Sequence, residues 1–169
     1  HPIDLLYWYA GSVEEVFAYS GRSNREPAYP MDDNFMLQLK FHSGAIGMVS
    51  ILCGVYHPPV PIIQVDVFHS SGSITAAYTE GLPGYLNYVA DELDTAPVRE
   101  ITYPAETGIT YKHGESEKKI FNYFAECILN NTEPVPSVED STHCVAVCDA
   151  AWESIRTGKP VKVWKAARP

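Results

Sequence analysis

The sequence predicts an α+β domain: a largely antiparallel, open β-sheet with two long helices on one face. Two observations predict this class. Apolar residues recur with a period of two through most of residues 13–103, and with helical spacing from residue 115 onward. With 46% hydrophobic and 20% charged residues in a chain of 169, the composition is that of a globular domain large enough for a real core. We therefore treat residues 1–169 as one domain.

The stretch from Phe35 to Ala76 is the centre of the predicted sheet. Residues 35–41 alternate, residues 46–53 are apolar on both faces, residues 62–68 are rich in Ile and Val, and residues 74–78 form a short fourth strand. The turns that join the first pair and the last pair are too short for crossover connections, so each pair is antiparallel. We expect the four strands to form a meander in one broad sheet.

Residues 46–53 place apolar side chains on both faces of that sheet. Ile46, Met48 and Leu52 alternate with Val49, Ile51 and Cys53. The helices cover one face, and large exposed apolar patches are rare on monomers. We expect the open face to pair with the same face of a second copy, because a two-fold contact is self-complementary. The sequence therefore predicts a homo-oligomer.

The remaining elements flank the meander. A short helix has Pro2 in its first turn and ends at Gly11. The last long helix starts after Ser137, a good N-cap, and stops at Gly158. The other predicted elements are strands at 13–20, 85–89, 98–103 and 161–164 and a helix at 115–130.

Charge and cysteine usage exclude several classes of function. The net charge of −9 argues against nucleic-acid and anionic-membrane partners, which bind basic surfaces. No apolar run has the length of a membrane span, and we expect no signal peptide. Cys144 and Cys148 have only His143 beside them, which does not complete a zinc site. Four cysteines without a framework fit small buried residues in a reducing, cytoplasmic compartment.

Five short motifs, in order along nearly the whole chain, resemble those of a known family. HPIDLL at residues 1–6 resembles a helix-opening H-x-x-D, and FHSGAIG at 41–47 resembles an F-x-x-G-A-x-G hairpin. SGSI at 71–74 matches a turn in part, PVPSVED at 134–140 resembles P-x-P-S-x-E-D, and residues 149–161 fit a closing helix and strand. Together they resemble the C-terminal domain of the Gfo/Idh/MocA oxidoreductases, named for glucose–fructose oxidoreductase and inositol dehydrogenase.

This resemblance implies half of a two-domain enzyme that oxidises a sugar or polyol hydroxyl with NAD or NADP. In the family a Rossmann domain precedes this one, and here we expect it to be missing, since no G-x-G-x-x-G follows a strand. The lysine of the family's E-K-P motif is also missing, and so is the aspartate four residues before its histidine. The isolated chain is expected to bind no dinucleotide and to be inactive, while supplying one wall of the sugar site and a subunit interface.

The resemblance implies that His1 is catalytic, as the base that takes the hydroxyl proton while hydride leaves carbon. Imidazole suits that task near neutral pH. Considered alone, a terminal histidine is an ordinary exposed residue or a tag remnant. Asp4 lies one helical turn away and either orients His1, binds a sugar hydroxyl, or is simply a first-turn carboxylate favoured by the helix dipole.

His113, in the loop before the first long helix, is the third candidate. The resemblance implies that loops at this sheet edge reach the substrate, so His113 either binds a sugar hydroxyl or is a plain loop residue. Two other functions stay open: a non-catalytic sheet module for dimerisation or ligand binding, and a glycoside lyase or hydrolase variant of the same family. The sequence does not specify the sugar, the choice of NAD or NADP, or the oligomer size.

Overall fold

The computed structural model describes residues 1–23, 31–53, 63–78, 84–89, 99–103 and 115–164. In that part of the chain three helices and eight strands follow one another. They are α1 (Pro2–Ala10), β1 (Val13–Gly21), β2 (Asn34–Phe41), β3 (Ile46–Leu52), β4 (Ile63–His69), β5 (Gly72–Tyr78), β6 (Gly84–Val89), β7 (Arg99–Tyr103), α2 (Glu115–Asn130), α3 (Val138–Thr157) and β8 (Val161–Lys162).

The strands form two four-stranded sheets, with orders β3-β2-β1-β8 and β4-β5-β6-β7. Every pairing is antiparallel, which confirms the α+β class. The expected single broad sheet is wrong in one respect: β2 and β3 lie in the first sheet, whereas β4 and β5 lie in the second. Between them the sequence carries Pro58, Pro59 and Pro61, and proline cannot donate to a strand ladder.

The chain divides into two compact units, His1–Val55 with Cys127–Pro169, and Tyr56–Glu126. In the first unit α3 packs on β1 and β8, and α1 packs on α3. The inward-facing residues of the first sheet meet α3 in one core. Its members are Ile3, Val13, Val16, Ala18, Leu37, Leu39, Phe41, Val49, Val147, Ala150 and Ala151.

The two faces of the first sheet differ as the sequence predicts. On β3, Val49 is 4% exposed and Ile51 packs against the core, whereas Ile46 and Met48 are 86% and 66% exposed. Register extends this open face, because Met48 is the Cα partner of Gln38 and Gln38 is that of Phe17. The open face is therefore a continuous surface across three strands.

The apolar stripes of α2 and α3 differ in how much of them is buried. α3 begins with a capping box at Ser137 and ends at Gly158, whose φ of 66° lies in the left-handed region that favours glycine. It supplies the helical cover of the first sheet. The stripe of α2 is exposed, at 64% for Ile120 and 71% for Phe121, although Cys127 near its end is buried.

Candidate functional site

His1 and Asp4 lie at the start of α1. His1 is the N-cap residue, its imidazole makes no capping hydrogen bond, and its backbone carbonyl accepts the Leu5 N–H at 3.0 Å. Asp4 follows in the first turn, where the helix dipole favours a carboxylate. Both residues are exposed. Residues three apart on a helix are neighbours on its surface, but a pairing of His1 with Asp4 stays a prediction.

Cys144 of α3 contacts that carboxylate. Its Sγ donates to Asp4 Oδ1 at a sulfur–oxygen distance of 3.8 Å. Burial raises the pKa of the Cys144 thiol, and the negative charge of Asp4 raises it further. The thiol therefore stays protonated at neutral pH and remains a hydrogen-bond donor to Asp4.

Tyr7, one turn beyond Asp4, is bound by Asp140 at the start of α3. The tyrosine hydroxyl donates to Asp140 Oδ1 at 2.9 Å. The other carboxylate oxygen of Asp140 accepts the Ser137 N–H at 2.8 Å, completing the capping box. The Ser137 N–H is the main cause that lowers the pKa of Asp140, followed by the Tyr7 hydroxyl. The hydrogen bond between Tyr7 and Asp140 also raises the pKa of Tyr7, so the pair is a carboxylate with a neutral phenol.

His143 connects α3 to the chain just beyond α1. Its Nε2 accepts the backbone N–H of Val13 at 2.9 Å, and its ring lies 4.9 Å from the ring of Tyr7. Burial lowers the pKa of His143, the positive potential of His42 lowers it further, and Asp140 opposes both. A ring that accepts through Nε2 is neutral and carries its proton on Nδ1.

Of the three predicted site residues, His1 and Asp4 both lie at the start of α1 and are exposed. His113 lies outside the described residues. Sequence reasoning missed the contacts of Tyr7 with Asp140 and His143. Two signals were present: the Ser137–Asp140 spacing of a capping box, and the position of Tyr7 one turn from Asp4. No group of three potential metal ligands occurs among residues with described positions, and none of the described helices is long and apolar enough to cross a membrane.

The open face of the first sheet carries a shallow groove of about 770 Å³. Its lining combines charged and apolar side chains from all three central strands. They are Glu15, Phe17, Gln38, Leu39, Lys40, Ile46, Gly47 and Met48, together with Pro160. The exposed methionine and isoleucine make this surface a candidate contact for a protein partner.

A polar row crosses the second sheet. Asp66, Thr75 and Asn87 are Cα partners on three neighbouring strands, so they share one face. The Gln64 side-chain amide donates to Asp66 Oδ2 at 2.9 Å, whereas the buried Oδ1 of Asn87 has no hydrogen-bond partner among the described residues. Amide and carboxylate oxygens of this kind can accept hydrogen bonds from hydroxyl groups.

Residues 1–163 match the family described as "Oxidoreductase family, C-terminal alpha/beta domain". This match and the fold define the class of protein. The chain belongs to the Gfo/Idh/MocA family. This confirms the resemblance carried by the five motifs. No curated protein sequence matches the chain.

Solved structures share the fold at low identity. An oxidoreductase from Agrobacterium radiobacter in complex with NAD⁺, L-tartaric acid and magnesium is 18% identical with a TM-score of 0.77, over 96% of this chain and 47% of that one. A levoglucosan dehydrogenase in complex with NADH is 22% identical with a TM-score of 0.73, over 97% and 48%. The aldose-aldose oxidoreductase from Caulobacter crescentus, complexed with glycerol, is 18% identical with a TM-score of 0.72, over 95% and 44%. The chain thus spans about half the length of each.

Proposed function

We propose that this chain is the substrate-binding and subunit-contacting half of an NAD(P)-dependent oxidoreductase that acts on a sugar or polyol hydroxyl. The observation that carries the proposal is the exposed His1 at the start of α1, with the Asp4 carboxylate one turn away, in a chain of this family. Structures of the same fold include a levoglucosan dehydrogenase and an aldose-aldose oxidoreductase, which supports a sugar as substrate.

The residues of this chain do not fit a dinucleotide. The described strands are all antiparallel, whereas a dinucleotide binds at a helix N-terminus that follows a parallel strand and a glycine-rich turn. That turn is absent from the sequence. We assign the nicotinamide to a Rossmann domain of the full-length protein, which would supply the hydride acceptor.

The chemistry left to this chain is proton transfer and substrate orientation. His1 accepts the hydroxyl proton through a ring nitrogen, and its exposed position lets a substrate approach the imidazole. Asp4 hydrogen-bonds a neighbouring sugar hydroxyl or turns the imidazole toward the reacting oxygen. We extend the proposal to His113 as a further sugar contact.

We also propose that the open face of the first sheet joins two copies of the protein. Ile46, Met48 and Leu52 are 86%, 66% and 53% exposed on β3, which favours burial against an apolar surface. A cytoplasmic location is part of the same proposal, supported by four cysteines that are all free.

The test uses the full-length protein with both nicotinamides and a panel of sugars, polyols and glycosides. Reduced nicotinamide formed in equal amount to an oxidised sugar supports the proposal. Glycoside cleavage without net reduction would instead identify the lyase or hydrolase variant. Dimerisation without turnover of any substrate would favour the non-catalytic sheet module.

A further inference from the structure

We infer that His143 is a positioning residue: by holding the end of α1 against α3, it fixes where His1 and Asp4 stand. This inference rests on the proposed function for its effect on catalysis, but the contact itself can be tested without activity. It concerns three polar contacts between α3 and the α1 region, which we name the α1–α3 contact. They are Cys144 to Asp4, Asp140 to Tyr7, and His143 to the backbone of Val13.

The three contacts hold α1 at its start, its middle and just past its end. Asp4 is in the first turn, Tyr7 is in the second, and Val13 opens β1 two residues after Gly11, where the helix stops. A short helix held at three heights cannot rotate about its axis or slide along α3. Because His1 is the N-cap of α1, either motion would move its imidazole.

Apolar packing covers one side of α1. Ile3 is buried and Leu6 and Ala10 are half-buried against the core, whereas Trp8 and Tyr9 are 80% and 53% exposed. Burial of apolar surface is non-directional, so it fixes the rotation of a short helix less sharply than hydrogen bonds do. The directional hydrogen bonds of the α1–α3 contact add that selection.

Of these three contacts, the one made by His143 depends on protonation near neutral pH. Charged imidazole donates from both nitrogens, so it cannot accept the N–H of Val13, and the two donors would face each other. Groups on every neighbouring element face this ring. They are Tyr7 on α1, Asp140 on α3 and His42 in the β2–β3 turn. Asp140 favours the charged ring, whereas His42 and burial favour the neutral ring.

The experiment compares His143→Gln and His143→Phe in the full-length protein. Glutamine keeps an acceptor near the position of Nε2 and does not titrate, whereas phenylalanine keeps the ring on Tyr7 and removes the acceptor. We expect His143→Phe to lower kcat about 10- to 100-fold with little change in KM, the scale of a misplaced catalytic group. His143→Gln should restore most of kcat. His42→Gln, which changes a facing histidine outside the α1–α3 contact, should retain wild-type kcat.

Two further measurements separate this inference from the proposed function. Nitrogen NMR of the wild-type protein should show His143 with its proton on Nδ1. The His1 ring signals should shift in His143→Phe but not in His143→Gln, whether or not a sugar is oxidised. A proton on Nε2, or unmoved His1 signals and wild-type kcat in His143→Phe, would overturn the inference.

The pH dependence of stability gives the last readout, because it reports on His143 without requiring turnover. Burial lowers the pKa of His143 in the folded protein, so the unfolded chain binds more protons between that pKa and about 6.5. The folded state should therefore lose stability as pH falls below about 6.5, and His143→Gln should remove this part of the loss. Identical pH curves for wild type and His143→Gln would count against the inference.

Discussion

The hydroxyl oxygen of Ser154 accepts the backbone N–H of Ala18 at 2.9 Å, across 136 positions of sequence. Ser154 is 0% exposed and Ala18 is 2% exposed. In the described part of the chain β8 pairs with β1 at Glu15 and Val16, and no described strand on that side reaches Ala18. A helix side chain takes the place of the missing strand and ties α3 to the centre of the first sheet.

Replacing Ser154 with alanine should destabilise the protein by about 1–3 kcal/mol, because it leaves a buried N–H without an acceptor. Chemical denaturation measures the loss. Ser141→Ala is the matched control on the same helix: its hydroxyl donates to the Ser137 carbonyl in an exposed position, and its change should stay within about 0.5 kcal/mol. Equal effects of the two substitutions would contradict this account of Ser154.

Placing a charge on the open face should weaken self-association. Met48→Glu buries a carboxylate in the proposed two-fold contact. We expect the dimer Kd to rise more than about tenfold, because a tenfold rise corresponds to only about 1.4 kcal/mol and an unpaired buried charge costs more than that. Sedimentation of the full-length protein measures it. Val145→Glu, on α3 at a site 57% exposed, is the control. A monomeric wild type, or unchanged association of Met48→Glu, would rule out this face as the interface.

Glu14 should make the protein acid-sensitive. Hydrogen bonds from Lys162 and then Lys40 lower the pKa of Glu14 from 4.5 to about 2. A carboxyl group whose pKa is lowered in the folded state stabilises the folded protein at pH values above its unfolded-state pKa. That contribution disappears as pH falls through the folded-state pKa. The stability difference between wild type and Glu14→Gln should therefore shrink between pH 4.5 and about 2. Denaturation at several pH values measures this, and added salt should also reduce the difference because these groups are exposed. A difference independent of pH would contradict the assignment.

Removing the imidazole of His1 should abolish most turnover. His1→Ala in the full-length enzyme is expected to lower kcat about 100- to 10,000-fold while changing KM much less, because a general base acts on the transferring proton. His69→Ala removes another exposed imidazole, on the second sheet, and should leave kcat unchanged. Near-normal turnover of His1→Ala would show that His1 is not the base.

The elements themselves could be predicted because their signals are local. Alternation in residues 35–41 predicts β2, which the structure extends by Asn34 alone, and the helical stripe predicts α2 with both its ends. The two-faced pattern of β3 also holds. From sequence, however, either set of β3 side chains could have been the exposed set. Because α3 packs on the opposite face of the first sheet, Ile46 and Met48 are exposed.

The pairing of distant elements could not be predicted. Periodicity gives the face of a strand but not its neighbour, so nothing local pairs Glu15 with Lys162. The same limit applies to the site. His143 draws notice in the sequence only as a neighbour of Cys144, whereas its structural partner, Val13, is 130 positions away. Contacts between residues so far apart in sequence depend on how α3 packs across β1.

The first unit is assembled from both ends of the chain, with Tyr56–Glu126 between them. On the ribosome this order has a kinetic consequence. The hairpins of the second sheet join strands that are close in sequence and can form as soon as they emerge. The outer edge of β1 at Glu15 and Val16 must wait for Val161 and Lys162. Until they emerge it is an unpaired strand edge, which is prone to associate with another chain.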